Sequence, residues 1–106
     1  MKVYSQQHDG VLRLSFMGEL DHHDARLSMK TIETIINDSL PRDCIIDLSG
    51  LSFMDSSGIA VILRIGKQLA NMGGRAWVEN PTGQPLRVLE ASGIDRIVKV
   101  FSRADL

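Results

Sequence analysis

The chain predicts a single α/β domain: a mixed β-sheet of about four to five strands flanked by helices, in the order β-β-α-β-α-β-α-β. Three observations carry this. An Asp9-Gly10 pair separates two apolar-alternating segments near the start. Beyond it, short apolar runs alternate with longer segments whose apolar residues recur every three or four positions. At 106 residues, with 43% hydrophobic and 24% charged side chains, the chain is long enough for one buried core and has no linker, repeat or low-complexity stretch.

Val3 to Gln7 and Val11 to Met17 read as two strands joined by a tight turn, because Asp-Gly favours the backbone twist of a two-residue hairpin. Gly18 is expected to end the second strand. A helix follows from Asp21–Asp24 to Ser39, with Ala25, Met29, Ile32, Ile36 and Leu40 on one face. Asp21 or Asp24 can cap its start, and Pro41 stops it. Cys44 to Leu48 is a third strand, apolar on both faces and so expected inside the sheet. A second helix from Ser56 to Met72 turns Ile59, Ile62, Leu63, Gly66, Leu69 and Ala70 inward and Arg64, Lys67, Gln68 and Asn71 outward, with Gly73-Gly74 closing it. Arg75 to Glu79 is the fourth strand. Pro85 suits the first turn of a third helix bearing Leu86, Val88 and Leu89, which Gly93 ends with Ile94 beneath it. Ile97 to Phe101 is the last strand. Ser102 could cap one further turn before Leu106.

Composition narrows the chemistry. A net charge of −1 gives no basic footprint for nucleic acid or an anionic membrane. No apolar run approaches the ~18 residues of a membrane span. The single Cys44 cannot form an internal disulfide and reads as a small core residue. With no secretory leader, a reducing, cytoplasmic setting is expected. A monomer is the expectation for so polar an outer face.

His22, His23, Asp21, Asp55, Ser56 and Ser57 could be drawn as a Ser/His/Asp site. However, Met54-Asp55 stands where a nucleophile elbow needs a glycine, and no glycine-rich oxyanion loop is present. Neighbouring His22 and His23 would diverge by about 100° on a helix, and no second ligand cluster accompanies them. Gly73-Gly74 and Gly83 fit no phosphate-binding motif. Neither an enzyme nor a metal or cofactor site is expected.

The junction Leu51-Ser52-Phe53-Met54-Asp55-Ser56-Ser57-Gly58 remains. It sets two hydroxyls and a carboxylate at a helix N-terminus, where free N–H groups and the positive dipole end gather. An ordinary N-cap explains these residues. A phosphate on serine would also be well received there.

Several segments together resemble the STAS domain of anti-sigma factor antagonists. They are Gly18-Glu19-Leu20-Asp21-His22-His23, Ile45-Ile46-Asp47-Leu48, the Leu51–Gly58 junction with Val61-Ile62-Leu63, Gly73-Gly74, and Ser92-Gly93-Ile94. The likeness runs through the whole chain in order and makes residues 1–106 one STAS domain. The Gly-Glu-Leu-Asp-His-His run is most like the sporulation sigma-F branch. The resemblance implies a phosphoprotein of transcription regulation that works by partner switching. Unphosphorylated, such a protein binds an anti-sigma factor that is also a GHKL-type serine kinase, and so frees the sigma factor. Phosphorylation releases it, and a PP2C-type phosphatase restores it. The phosphoacceptor is carried over to Ser56, the serine after the motif aspartate. Ser57 fills the neighbouring hydroxyl position, and Asp21 matches an acidic position beside the phosphosite. Asp55, Ser57, Gly58 and Asp21 are expected around the partner contact.

Val61 and Ile65 lie off the second helix's inner stripe. They either pack on its flank, or Val61 joins Ala60 and Arg64 against the kinase. A scaffold module in a stress-signalling assembly, a small-ligand or nucleotide-binding domain and a small hydrolase are the other readings this fold would allow. Relatives of this kind usually carry a fuller C-terminal helix than Ser102–Leu106 would provide.

Overall fold

A computed structural model describes residues 1–102. Its elements are β1 (Lys2–His8), β2 (Val11–Leu20), α1 (His22–Ser39), β3 (Asp43–Met54), α2 (Ser56–Asn71), β4 (Arg75–Glu79), α3 (Gly83–Ser92), a short 3-10 turn (Ile94–Arg96) and β5 (Val100–Phe101). The five strands lie in the order β1-β2-β3-β4-β5. β1 runs antiparallel to β2, and every other neighbouring pair is parallel. The sheet is mixed for a local reason. Asp9 (φ 52°) and Gly10 (φ 79°) both take the left-handed conformation that folds β1 back onto β2. Each later strand is reached through a helical crossover and so comes back parallel.

One face of the sheet forms the core. Leu12, Leu14 and Phe16 of β2, Cys44, Ile46 and Leu48 of β3 and Val78 of β4 are buried there. Leu20, Leu51 and Met54 at the far ends of β2 and β3, Ala25, Met29, Ile32 and Ile36 of α1 and Val61, Ile62, Ile65 and Leu69 of α2 join it, with Leu89, Ile94 and Val98. Burial pushes the Cys44 thiol up to about 12, because the low-dielectric interior disfavours a thiolate. On the opposite face, Arg13 reaches Asp47 (3.0 Å) and Glu79 (3.2 Å), and the Trp77 indole N–H donates to Glu79 (2.9 Å).

The structure moves several boundaries. β2 continues past Gly18 to Leu20, and β3 continues six residues past Leu48 to Met54. The extra length pairs with β2 alone and passes through two register shifts, between Ser15 and Met17 and between Gly18 and Glu19. β4 has already ended at Glu79, opposite Asp47. A strand with one neighbour and an irregular ladder needs no apolar run, so the apolar pattern marks only its first half.

The inner face of α2 is turned from the predicted stripe. Gly58, Val61, Ile62, Ile65 and Leu69 are buried, whereas Ala70 is exposed and Ile59, Leu63 and Gly66 are half-buried. Gln68, expected outside, is half-buried because its amide reaches the Asn37 side chain (3.0 Å) on α1. Leu40 is not on the α1 stripe. It is the left-handed C-cap (φ 48°), and the turn leaves it 72% exposed. β5 is two residues rather than five, because the 3-10 turn after Gly93 occupies the chain as far as Arg96 and leaves Ile97 75% exposed. The helical turn expected after Ser102 falls outside the described residues.

Candidate functional site

β2 and β3 are parallel neighbours, and their ends pair Leu20 with Met54. Each strand is followed at once by a helix. The N-termini of α1 and α2 therefore emerge side by side at one edge of the sheet, each behind an aspartate. This is the carboxyl end of parallel strands, where α/β folds place their sites.

The two aspartates are both N-caps in extended conformation. Asp21 Oδ1 accepts the Asp24 N–H at 2.9 Å. That bond is the main cause holding the Asp21 carboxyl below its ordinary range. Asp55 Oδ1 accepts the Ser57 N–H at 2.8 Å, and its Oδ2 accepts the His22 N–H at 3.1 Å. One carboxylate thus bonds to the first turns of both helices, whose leading N–H groups have no partner within the helix. The Asp55 N–H donates to Leu20 O (3.2 Å), and the Gly58 N–H donates to Asp55 O (3.0 Å). The exposed His22 ring lies 4.0 Å from Asp55 Oδ2.

Ser56 is the first residue of α2 and is exposed. Its hydroxyl bonds to no other described residue. Ser57 beside it is half-buried. The structure therefore brings Asp21, Asp55, Ser56 and Ser57 to one edge; the last three are neighbours in the sequence, and the place of Asp21 beside them is the one the resemblance implied.

Gly58 and Val61 are different. Gly58 faces inward, where an added Cβ would lie 3.0 Å from Met54 Sδ, 3.2 Å from Met54 Cβ and 3.3 Å from Leu20 Cδ2. The absent side chain lets the first turn of α2 sit on the ends of β2 and β3, so Gly58 presents nothing to a partner. Val61 is 3% exposed and packs in the core, so it too is removed from the expected contact face. Its flank position followed from a helical stripe turned away from the true one. Ala60 and Arg64 are the first exposed α2 residues after Ser56, and Arg64 pairs with Glu33 of α1.

One participant was missed from the sequence. Gln84 of α3 donates from Nε2 to Met54 O and accepts the Met54 N–H at Oε1, both at 2.9 Å. No periodic or motif signal marks it, since glutamine near a helix start is ordinarily a solvent-facing residue. Among the described residues no group of three or more His, Cys, Asp or Glu is placed to hold a metal ion. No helix among them is long and apolar enough to cross a membrane.

Comparison with known proteins agrees with this geometry. The model of the STAS domain matches residues 2–105. The anti-sigma F factor antagonist of Paenibacillus polymyxa is 31% identical over 95% of this chain and 86% of its own length. The protein of the same description from Lysinibacillus sphaericus is 37% identical over 79% of this chain and 70% of its own. Among solved structures, the anti-sigma factor antagonist SpoIIAA in its unphosphorylated form superposes with a TM-score of 0.79 at 26% identity, covering 98% of this chain and 91% of that one. Its phosphorylated form, from Bacillus, superposes at 0.70 and 26% identity, covering 98% and 95%. With the fold, the paired helix N-termini and a family match over nearly its whole length, this chain belongs to the STAS domain family.

Proposed function

We propose that this protein is an anti-sigma factor antagonist, not itself an enzyme, and that phosphorylation of Ser56 switches it off. Unphosphorylated, it binds an anti-sigma factor with GHKL-type serine kinase activity and frees a sigma factor. A PP2C-type phosphatase returns it to that state. These steps belong to the cytoplasm, beside the transcription machinery, and the likeness to the sigma-F antagonists points to sporulation control.

The observation that carries the reading is an exposed serine at the first position of α2, directly after an aspartate that caps two helices. Phosphorylation would add about −1.5 to −2 charge there. The nearby carboxylates of Asp55 and Asp21 repel it, and a partner surface shaped for a small neutral hydroxyl meets bulk, charge and a desolvation cost. Within the free protein, the dipole of α2 favours the same phosphate. The switch is then local, by block rather than refolding. That this backbone superposes on both forms of SpoIIAA supports it. The contact face comprises Ser56 with exposed Ala60 and Arg64, and Asp55 and Ser57 stand behind it.

The test is intact-mass measurement after incubation with the anti-sigma kinase from the same genome and ATP. Wild type and Ser57→Ala should gain one phosphoryl group, and Ser56→Ala none. A gain lost only in Ser57→Ala would reassign the residue. No gain with an active kinase would favour a scaffold or ligand-binding module.

A further inference from the structure

Just before Ser56 the chain is gripped from both sides. On one side the Asp55 N–H bonds to Leu20 O of β2. On the other, β4 has ended, and the vacant strand position beside Met54 is filled by the Gln84 side chain. The amide offers one donor and one acceptor, the same pair a neighbouring strand would offer, and it closes both Met54 bonds at 2.9 Å. The chain is bent to bring it there. Asn80 (φ 60°) and Gly83 (φ 58°) take left-handed conformations on either side of Pro81-Thr82. Thr82, the N-cap of α3, makes no side-chain cap bond. The start of α3 is thus tied to β3 by Gln84 rather than by its own cap.

We infer that Gln84 is a positioning residue for the phosphoacceptor. By completing the ladder at Met54 it fixes where Asp55 leaves the sheet, and so where the Ser56 hydroxyl stands when a phosphoryl donor is presented. The inference rests on Ser56 being the phosphoacceptor. Phosphoryl transfer needs the attacking oxygen in line with its target, and small misplacements slow it strongly.

Two variants test this. Gln84→Met keeps the length but makes neither bond. Gln84→Glu lacks the N–H donor when ionised, so its carboxylate faces Met54 O. Protonated, it regains a donor and can rebuild both bonds. Two readouts are taken. The first is amide hydrogen exchange at Met54 in the free protein. The second is single-turnover transfer to Ser56 from the anti-sigma kinase and ATP, with rate and half-saturation measured separately.

Both variants at neutral pH should exchange Met54 faster. They should accept phosphate about tenfold more slowly once bound, with a smaller change in half-saturation. Acidification through the glutamate range should restore the Met54 exchange of Gln84→Glu, relative to wild type at the same pH, but not that of Gln84→Met. Ile36→Val, a core change on α1, should lower stability and leave transfer unchanged. Transfer at the wild-type rate in Gln84→Met with Met54 loosened would overturn the inference, as would unaltered Met54 exchange. If wild type itself takes no phosphate at Ser56, the underlying reading fails with it. The exchange data from the free protein would then separate that failure from a failure of the Gln84 contact.

Discussion

The two halves of β3 are held in different ways. From Asp43 to Asp47 the strand has β2 on one side and β4 on the other, in unbroken register. Cys44, Ile46 and Leu48 at this end are fully buried. From Ser49 to Met54 it has β2 alone, past two register shifts, and then a glutamine side chain in place of a strand. The lower half is secured by two strand neighbours and apolar burial; the upper half also buries Leu51 and Met54 but has one strand neighbour, and directed hydrogen bonds to backbone groups complete its free side. Burial is indifferent to small chemical changes at the surface. Directed bonds around a helix terminus are sensitive to added charge. A switch placed at the upper end can change what the protein binds without disturbing what keeps it folded.

The largest effect should come from the lower half. Ile46→Ala should cost ~2–5 kcal/mol in denaturant unfolding, through lost burial and a residual cavity. The molecules that remain folded should take phosphate at Ser56 as wild type does. Slower transfer to that folded fraction would mean the halves are coupled. Next is Gly58→Val, whose added carbons would press on Met54 and Leu20. It should cost ~1–3 kcal/mol and impair transfer as well, because it lifts the first turn of α2.

Asp55→Ala should follow at ~1–3 kcal/mol, since it strips a partner from His22 and from Ser57 at once. Asp21→Ala removes a bond within α1 only and should cost less. Equal losses from the two would show that the bond from Asp55 to α1 contributes nothing. The smallest effect is one of pH. The Asp21 carboxyl is held below its ordinary range chiefly by the Asp24 N–H. Its contribution is therefore complete above about pH 4, the unfolded value, and is lost as pH falls through the lower folded one. Asp21→Asn should flatten the acid limb of stability against pH, read by urea titrations between neutral pH and acid.

The order of elements was legible because it follows from periodicity and punctuation. The Asp9-Gly10 turn, the α1 stripe from Ala25 to Ile36, β4 and the Gly93 cap all lie where local pattern placed them. The second half of β3 was not legible. Ser49 to Phe53 alternates weakly, and its ladder depends on the irregular end of β2. The α2 stripe was turned because Ile59 and Leu63 are as apolar as Val61 and Ile65. The close approach of Gly58 to Met54 and Leu20 fits the rotation that buries Val61 and Ile65, a tertiary contact that local pattern does not carry. At the candidate site, a capping aspartate and two hydroxyls at a helix start could be read from the residues, and the choice of Ser56 came from the resemblance. The second bond from Asp55 to His22 and the Gln84 contact join residues distant in sequence, and no local pattern encodes them.

Cys44 has one more use. It is the chain's only thiol, fully buried, with ionisation pushed up to about 12. An alkylating reagent reacts with thiolate, so the folded molecule should be inert to it and only molecules that have opened their interior should be tagged. The chain thus carries its own timer of opening. Each tag adds a fixed mass to the same intact-mass spectrum that records a phosphoryl group. Labelling rates for phosphorylated and unphosphorylated molecules can be compared within one sample, without a dye or an engineered residue.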